Sequence, residues 1–204
     1  MRGASLGGGF VGARHVFTSV WKDRCLEAAA IVTNLTAKDV TQRISATEPD
    51  WSRETKRVFE WSPSRSLLAA IRSYQRHAGR GHIHALLCRL AVVRHRFWQV
   101  VTGADIPVTC QIGGGLLLPH PNGIVIHNDC VLGVNCLIFQ QVTLGATNSG
   151  VPRIGGHVDI GAGAKVIGGI MVGDHARIGA NALVLNDVPN SATVVAAAAQ
   201  TLDL

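Results

Sequence analysis

Residues 116–127 run LLLPHPNGIVIH, and within them one imidazole, His120, stands between Pro119 and Pro121. Imidazole titrates near neutrality, so it can take a proton from a hydroxyl and give it up again within one reaction cycle. The two prolines stiffen the backbone on either side, and the Pro-Asn-Gly that follows is strong turn chemistry. A plain surface turn would use the same residues without any reaction. What separates the two readings is the element in which the bend is set.

That element begins at Asp105, where the hydrophobic period becomes six. Ile154, Ile160, Val166, Val172, Ile178 and Val184 follow one another at this step. Four residues after each stand Val158, Ala164, Ile170, Ala176, Ala182 and Val188. The same step runs through Ile126, Leu132, Ile138 and Leu144, and earlier through Ile106, Ile112 and Leu118. A period of six matches neither an α-helix nor simple strand alternation. It fits a parallel β-helix of hexapeptide repeats, three to a triangular coil, with the first residue inward and a small fifth residue closing the corner. Cys110, Cys130 and Cys136 occupy the fifth place, which reads as core rather than ligand. Gly133, Gly155, Gly161, Gly173 and Gly179 follow inward aliphatics and are expected to supply tight corners. The step lengthens to eight residues between Leu118 and Ile126, and to ten between Leu144 and Ile154. The second insertion, GATNSGVPR, is expected to project as a loop, and insertions in such a coil tend to gather on the binding face. His120 stands at the first interruption.

Upstream, residues 61–103 are helical. One helix starts with Ser62 as N-cap and Pro63 at its first position and ends at glycine. A second runs from about His82 to Gly103, with Leu86, Leu87, Leu90, Val93 and Phe97 on one face. His77, His82, His84 and His95 share this segment with many arginines and are expected to be solvated. Residues 21–35, WKDRCLEAAAIVTNL, are a candidate helix, and TQRISATEPDWSRETKR is a polar connector. The organisation expected is a weakly patterned segment over 1–60, a helical region over 61–104, a coil over 105–190 and a tail over 191–204. The fold class is α+β.

Composition narrows the function. Of 204 residues, 47% are hydrophobic and 16% charged, which excludes a disordered chain. The net charge of +6 is concentrated between Arg53 and Arg96. Such a stretch could meet nucleic acid or lipid headgroups, but the reading adopted is a solvated helix face with no nucleic-acid partner. Five cysteines without a CxxC pair argue for free thiols in a reducing cytoplasm. MRGASLGGGFVGARH is a poor leader, and no apolar run reaches bilayer length. A cytoplasmic protein without a membrane span is expected.

The stretches GADIPVTCQIGGGLLLPHPNGIVIH, CLIFQQVTLGAT and IGAGAKVIGGIMVGDHARIGANALVLNDVP resemble serine O-acetyltransferase, and more broadly the hexapeptide-repeat acyltransferases. The resemblance covers about 61–189. It implies a left-handed parallel β-helix after the helical region, acetyl-CoA as cosubstrate, and a homotrimer with the site between subunits, with a dimer of trimers as the larger assembly. It makes His120 the general base and Asp105, fifteen residues earlier, the carboxylate that orients it. It places the acetyl-CoA groove along Gly145, Ala146, Ala162 and Ala180, with Lys165 and Arg177 near the coenzyme phosphates. The turn at Gly145 would supply backbone N–H donors for the thioester oxygen.

The departures bear on the acceptor. Where the family has an aspartate before the base, this chain has Pro119; a second family histidine aligns with Val151, and its neighbouring arginine with Gly150. The loop there is four residues shorter, and VVAAAAQTLDL replaces the usual Gly-x-Pro-Ala ending. L-serine is the acceptor expected first, and a sugar hydroxyl of a surface polysaccharide second. A different class, a carbonic anhydrase on the same coil, would need His120, His127 and His157, with His175 in reserve, to converge on zinc. No metal is expected. A non-catalytic trimeric scaffold is the third class.

Overall fold

The computed structural model describes residues 44–57 and 60–199. The candidate helix over 21–35 lies outside them. Helix α1 spans Pro63–His77 and helix α2 spans His82–Thr102. Pro63 fixes the first helical φ of α1 after Ser62, and Gly103 closes α2 in the left-handed region at φ 65°. The two pack side by side, and the chain then enters a parallel β-solenoid, helices first and coil after, as the sequence leads one to expect.

The solenoid has three faces. The first carries the strands Val125–Ile126, Thr143–Gly145, Lys165–Ile167 and Leu183–Val184. The second carries Gln111–Ile112, Val131–Leu132, Arg153–Ile154 and Met171–Val172, and the third Leu137–Ile138, Asp159–Ile160, Arg177–Ile178 and Thr193–Val194. Each face gains one further bridge, Asp105 to Val125, Val172 to Val188 and Leu117 to Leu137, so the solenoid has five coils. All strand pairs are parallel and in register, residue above residue, so Ile138, Ile160, Ile178 and Val194 form one column and Ile126, Leu144, Val166 and Val184 another. The aliphatics at the six-residue step are buried throughout, as are Cys110, Cys130 and Cys136. Burial raises the thiols of Cys110 to about 12 and of Cys130 and Cys136 to about 11. They are core, not ligands.

The corners differ from expectation. Gly133 and Gly161 are needed for close approach, because a Cβ on Gly133 would stand 2.5 Å from the carbonyl carbon of Gly155, and one on Gly161 2.6 Å from the nitrogen of Ala180. The left-handed turns fall elsewhere, on Asn135, His157, His175 and Ser191 at the second-to-third corner and on Gly123, Gln141, Gly163 and Asn181 at the third-to-first. At Gly133 and Gly161 one coil presses on the next through its backbone, and that is what excludes a side chain there.

The connector is a strap seated on the solenoid. Asn135, buried and at φ 59°, accepts from the N–H of Asp50 at 2.7 Å and donates to the carbonyls of Ser45 and Glu48, each at 2.7 Å. A Cβ on Gly156 would collide with the Ala46 carbonyl, so the strap also needs that glycine. A single 3₁₀ turn, Trp51–Glu54, then brings Glu54 to Arg72 of α1. Arg72 pairs with Glu54 at 2.8 Å and donates to the carbonyls of Ile112 and Gly113, each at 2.6 Å, while Glu54 accepts from the N–H of Leu116. Strap, helix and first coil are thereby tied at one half-buried ion pair.

Helix α2 corrects the sequence reading twice. Its buried residues are Ala91, His95 and Thr102. Leu86, Leu90, Val93 and Phe97 are exposed, and Leu87 is half-buried. The helix packs through its small and polar arc because α1 and the first coil approach from that side. His95, expected in solvent, is therefore 2% exposed.

Candidate active site

His120 lies just before the third-to-first corner, and the turn after it is fixed from both sides. The N–H of Gly123 donates to the carbonyl of Gly103 at 2.8 Å, and the carbonyl of Asn122 accepts from Gln141 at 3.0 Å. Gly123 takes φ 70°, and Ile124 closes the turn on the Pro121 carbonyl at 3.2 Å. The Asp105 N–H donates to Ile124, and Ile126 donates back to Asp105, at 2.7 and 2.9 Å. The backbone of Asp105 thus pairs with the strand that His120 leads into, and the fifteen-residue separation in sequence becomes adjacency at one edge of the coil.

The side chains are not joined. No hydrogen bond links Asp105 to His120 among the described residues, and both are exposed in the single chain. Asp105 instead accepts from Gln99 Nε2 at 3.3 Å, and the same amide nitrogen lies 3.4 Å from the Ile106 carbonyl. That carbonyl also meets His95 Nε2 at 2.8 Å. Burial holds the His95 imidazole below its ordinary pKa, so its neutral form is favoured, although the hydrogen bond to the Ile106 carbonyl opposes the shift. His95, Gln99, Asp105, Pro107 and Thr109 line a hollow of about 250 Å³. Another of about 390 Å³, lined by Arg53, Trp61, Arg65 and Leu118 among others, ends at Pro119. The supporting role of His95 and Gln99 is absent from the sequence reading; the signal for it was their four-residue spacing on one helical face.

The other sequence-selected positions fall on two edges. The N–H of Asn181 donates to the Ala162 carbonyl at 2.8 Å, so Ala162 and Ala180 stand in successive coils on the same corner column as Asn122. Lys165 opens onto the first face and Arg177 onto the third, one on each side of that column. Lys165 Nζ reaches the Gly163 carbonyl at 3.3 Å, and Arg177 lies 3.9 Å from Asp159 with its side chain mostly in solvent. Gly145 and Ala146 are at the opposite edge of the first face. There the loop expected to project is pinned to the coil. Thr147 and Gly150 exchange backbone hydrogen bonds at 2.9 and 3.0 Å, and Ser149 Oγ accepts from Gly169 at 3.1 Å, so the insertion lies along the next coil.

The remaining histidines occupy different edges. His127 follows the first face and lies 3.9 Å from Asp129. His157 and His175 stack in successive coils at the second-to-third corner, Nδ1 to Nδ1 2.8 Å. Among the described residues no three His, Cys, Asp or Glu side chains are grouped as a metal site.

No family model matches the chain. Over 137 residues it is 43% identical to the serine acetyltransferase of Helicobacter pylori strain J99, covering 59% of this chain and 80% of that protein. The chain belongs to the serine acetyltransferase family. A serine acetyltransferase solved as a complex with CoA shares 33% identity with a TM-score of 0.56, over 67% of this chain and 55% of that one. The soybean serine acetyltransferase complexed with serine gives 33% identity and a TM-score of 0.54, over 68% and 55%. This chain spans little more than half the length of each of these two family structures. Its fold class, a helical region followed by a left-handed parallel β-helix, is that of the family. No described helix is long and apolar enough to cross a membrane.

Proposed function

We propose that this chain transfers the acetyl group of acetyl-CoA to the hydroxyl of L-serine, giving O-acetyl-L-serine and CoA, in the cytoplasm. The observation that carries the reading is the pairing of the Asp105 backbone with the strand that His120 leads into, in a chain of this family. His120 takes the hydroxyl proton as the oxygen attacks the thioester carbon, and returns it to the departing thiolate. Asp105 acts through the imidazole, fixing its tautomer and stabilising its charged form. The exposure of both in one chain fits a homotrimer in which a neighbouring copy completes the site. The same arrangement accounts for the two edges: the Gly145–Ala146 turn of one copy would face the Ala162–Ala180 column of the next, with small residues leaving room for the pantetheine arm. Lys165 and Arg177 flank that column, where they can meet the coenzyme phosphates. The turn at Gly145 offers backbone N–H groups to the developing oxyanion.

A sugar hydroxyl is the second acceptor. Pro119 stands where the family carries an aspartate, and Val151, where it carries a histidine, packs against the hydrophobic core and offers no polar group. The test is release of CoA from acetyl-CoA with L-serine and a panel of sugars offered in parallel. Turnover with serine supports the first reading. Turnover with sugars alone replaces it, and failure to bind acetyl-CoA overturns both.

A further inference from the structure

Ile83, Leu86, Leu90, Val93, Phe97 and Val100 follow one another along α2 at spacings of three and four, and each is more than half exposed. That is the a/d pattern of a coiled-coil seam over two and a half heptads, presented outward on a helix whose opposite arc is already buried. Arg89, Arg94 and Arg96, all exposed, occupy the e and g positions on its shoulders. No aspartate or glutamate lies between residues 61 and 104 to offset them.

We infer that this seam docks an amphipathic helix of a second protein that has aliphatic residues along its stripe and carboxylates on its shoulders. Charge selects this occupant. A second copy of α2 would set arginine against arginine, since e and g residues meet in a parallel pair and like positions meet in an antiparallel one. A lipid surface calls for a broad, unbroken apolar face, whereas Arg94 interrupts the one side of this stripe that Leu87 and Val101 would widen. Carboxylates on the incoming helix pair with those guanidinium groups while the aliphatic side chains interdigitate.

The probe is a pair of synthetic helical peptides as long as α2, with leucine at a and d and either glutamate or lysine at e and g, titrated against the full chain by fluorescence anisotropy at low salt. The glutamate peptide is expected to bind at least about 10-fold more tightly than the lysine peptide, with the gap narrowing as salt is added. The triple variant R89E/R94E/R96E reverses the order. Leu90→Glu, an exposed substitution, melts like the wild type and loses the glutamate peptide. Equal binding of the two peptides, or binding of neither, overturns the inference. So does a Leu90→Glu chain that light scattering finds broken from an oligomer into monomers, since the seam is then filled by a second copy. Displacement of the glutamate peptide by phosphatidylglycerol vesicles assigns the seam to lipid instead.

Discussion

His95 Nε2 lies 2.8 Å from the carbonyl oxygen of Ile106, the residue that follows Asp105. A carbonyl only accepts, so this nitrogen carries the proton and the ring is held in one tautomer. Gln99 grips the same carbonyl and the Asp105 carboxylate. Helix α2 therefore sets where Asp105 points. His95→Ala is expected to lower kcat by about 10-fold through misplacement of that carboxylate, with KM for acetyl-CoA unchanged. His95→Gln, which can still donate to Ile106, restores most of the loss. Normal turnover and an unaltered pH profile of kcat in the alanine variant would refute this positioning role.

His120 is exposed, and its side chain makes no hydrogen bond among the described residues, so its removal leaves the fold intact. His120→Ala is expected to lower turnover by ~100-fold or more while the assembly and acetyl-CoA affinity stay as they are. Steady-state kinetics alongside equilibrium binding of the coenzyme decide it. Near-normal activity would remove the general base from the mechanism.

The lowered pKa of buried His95 carries a signed consequence for stability. The unfolded chain titrates this group near 6.5 and the folded chain below that, so in the interval between them the unfolded state binds more protons. The contribution is complete above pH 6.5 and is lost as pH falls toward the folded value. Desolvation shifts His157 in the same direction. Thermal midpoints should drop between neutral and mildly acid pH, and His95→Gln should flatten that drop. An unchanged slope in the variant would assign the acid sensitivity to other groups.

Breaking the junction of strap, helix and coil should be costly. Arg72→Ala leaves the half-buried Glu54 without its charge partner and strips two carbonyls of their donor, a loss of about 2 kcal/mol. Asn135→Ala removes three hydrogen bonds to the strap and leaves a β-carbon at positive φ without the side chain that held it, about 2 kcal/mol. Urea unfolding measures the first. Limited proteolysis near residue 50 should report the second before global unfolding does.

Thiol reactivity tests the core assignment. Among the described cysteines Cys88 is half-buried, and the three in the coil are buried with thiols raised to about 11 or 12. In a Cys25→Ser background one thiol should react promptly at pH 8, and the other three only on unfolding. Four prompt reactions would mean that the coil opens under native conditions.

The sequence by itself determined the solenoid, because a six-residue alternation of inward aliphatics and small fifth residues can be buried at every step only by stacking identical turns. It also put His120 at the first break in the six-residue step, while Asp105 was singled out by the family resemblance and not by the period. It could not say which arc of α2 would be covered. Apolar content pointed to Leu86, Leu90 and Val93, yet the covered arc is that of Ala91, His95 and Thr102, since among the described residues α1 and the first coil are what pack against the helix and both lie on that side. The same holds for the strap, where a polar run became ordered because Asn135, ninety residues from Ser45, offers its amide to three of the strap's backbone groups at once. Local periodicity is written in neighbouring residues. Which surface meets which depends on contacts between residues far apart in the chain, and those exist only once the coil has closed.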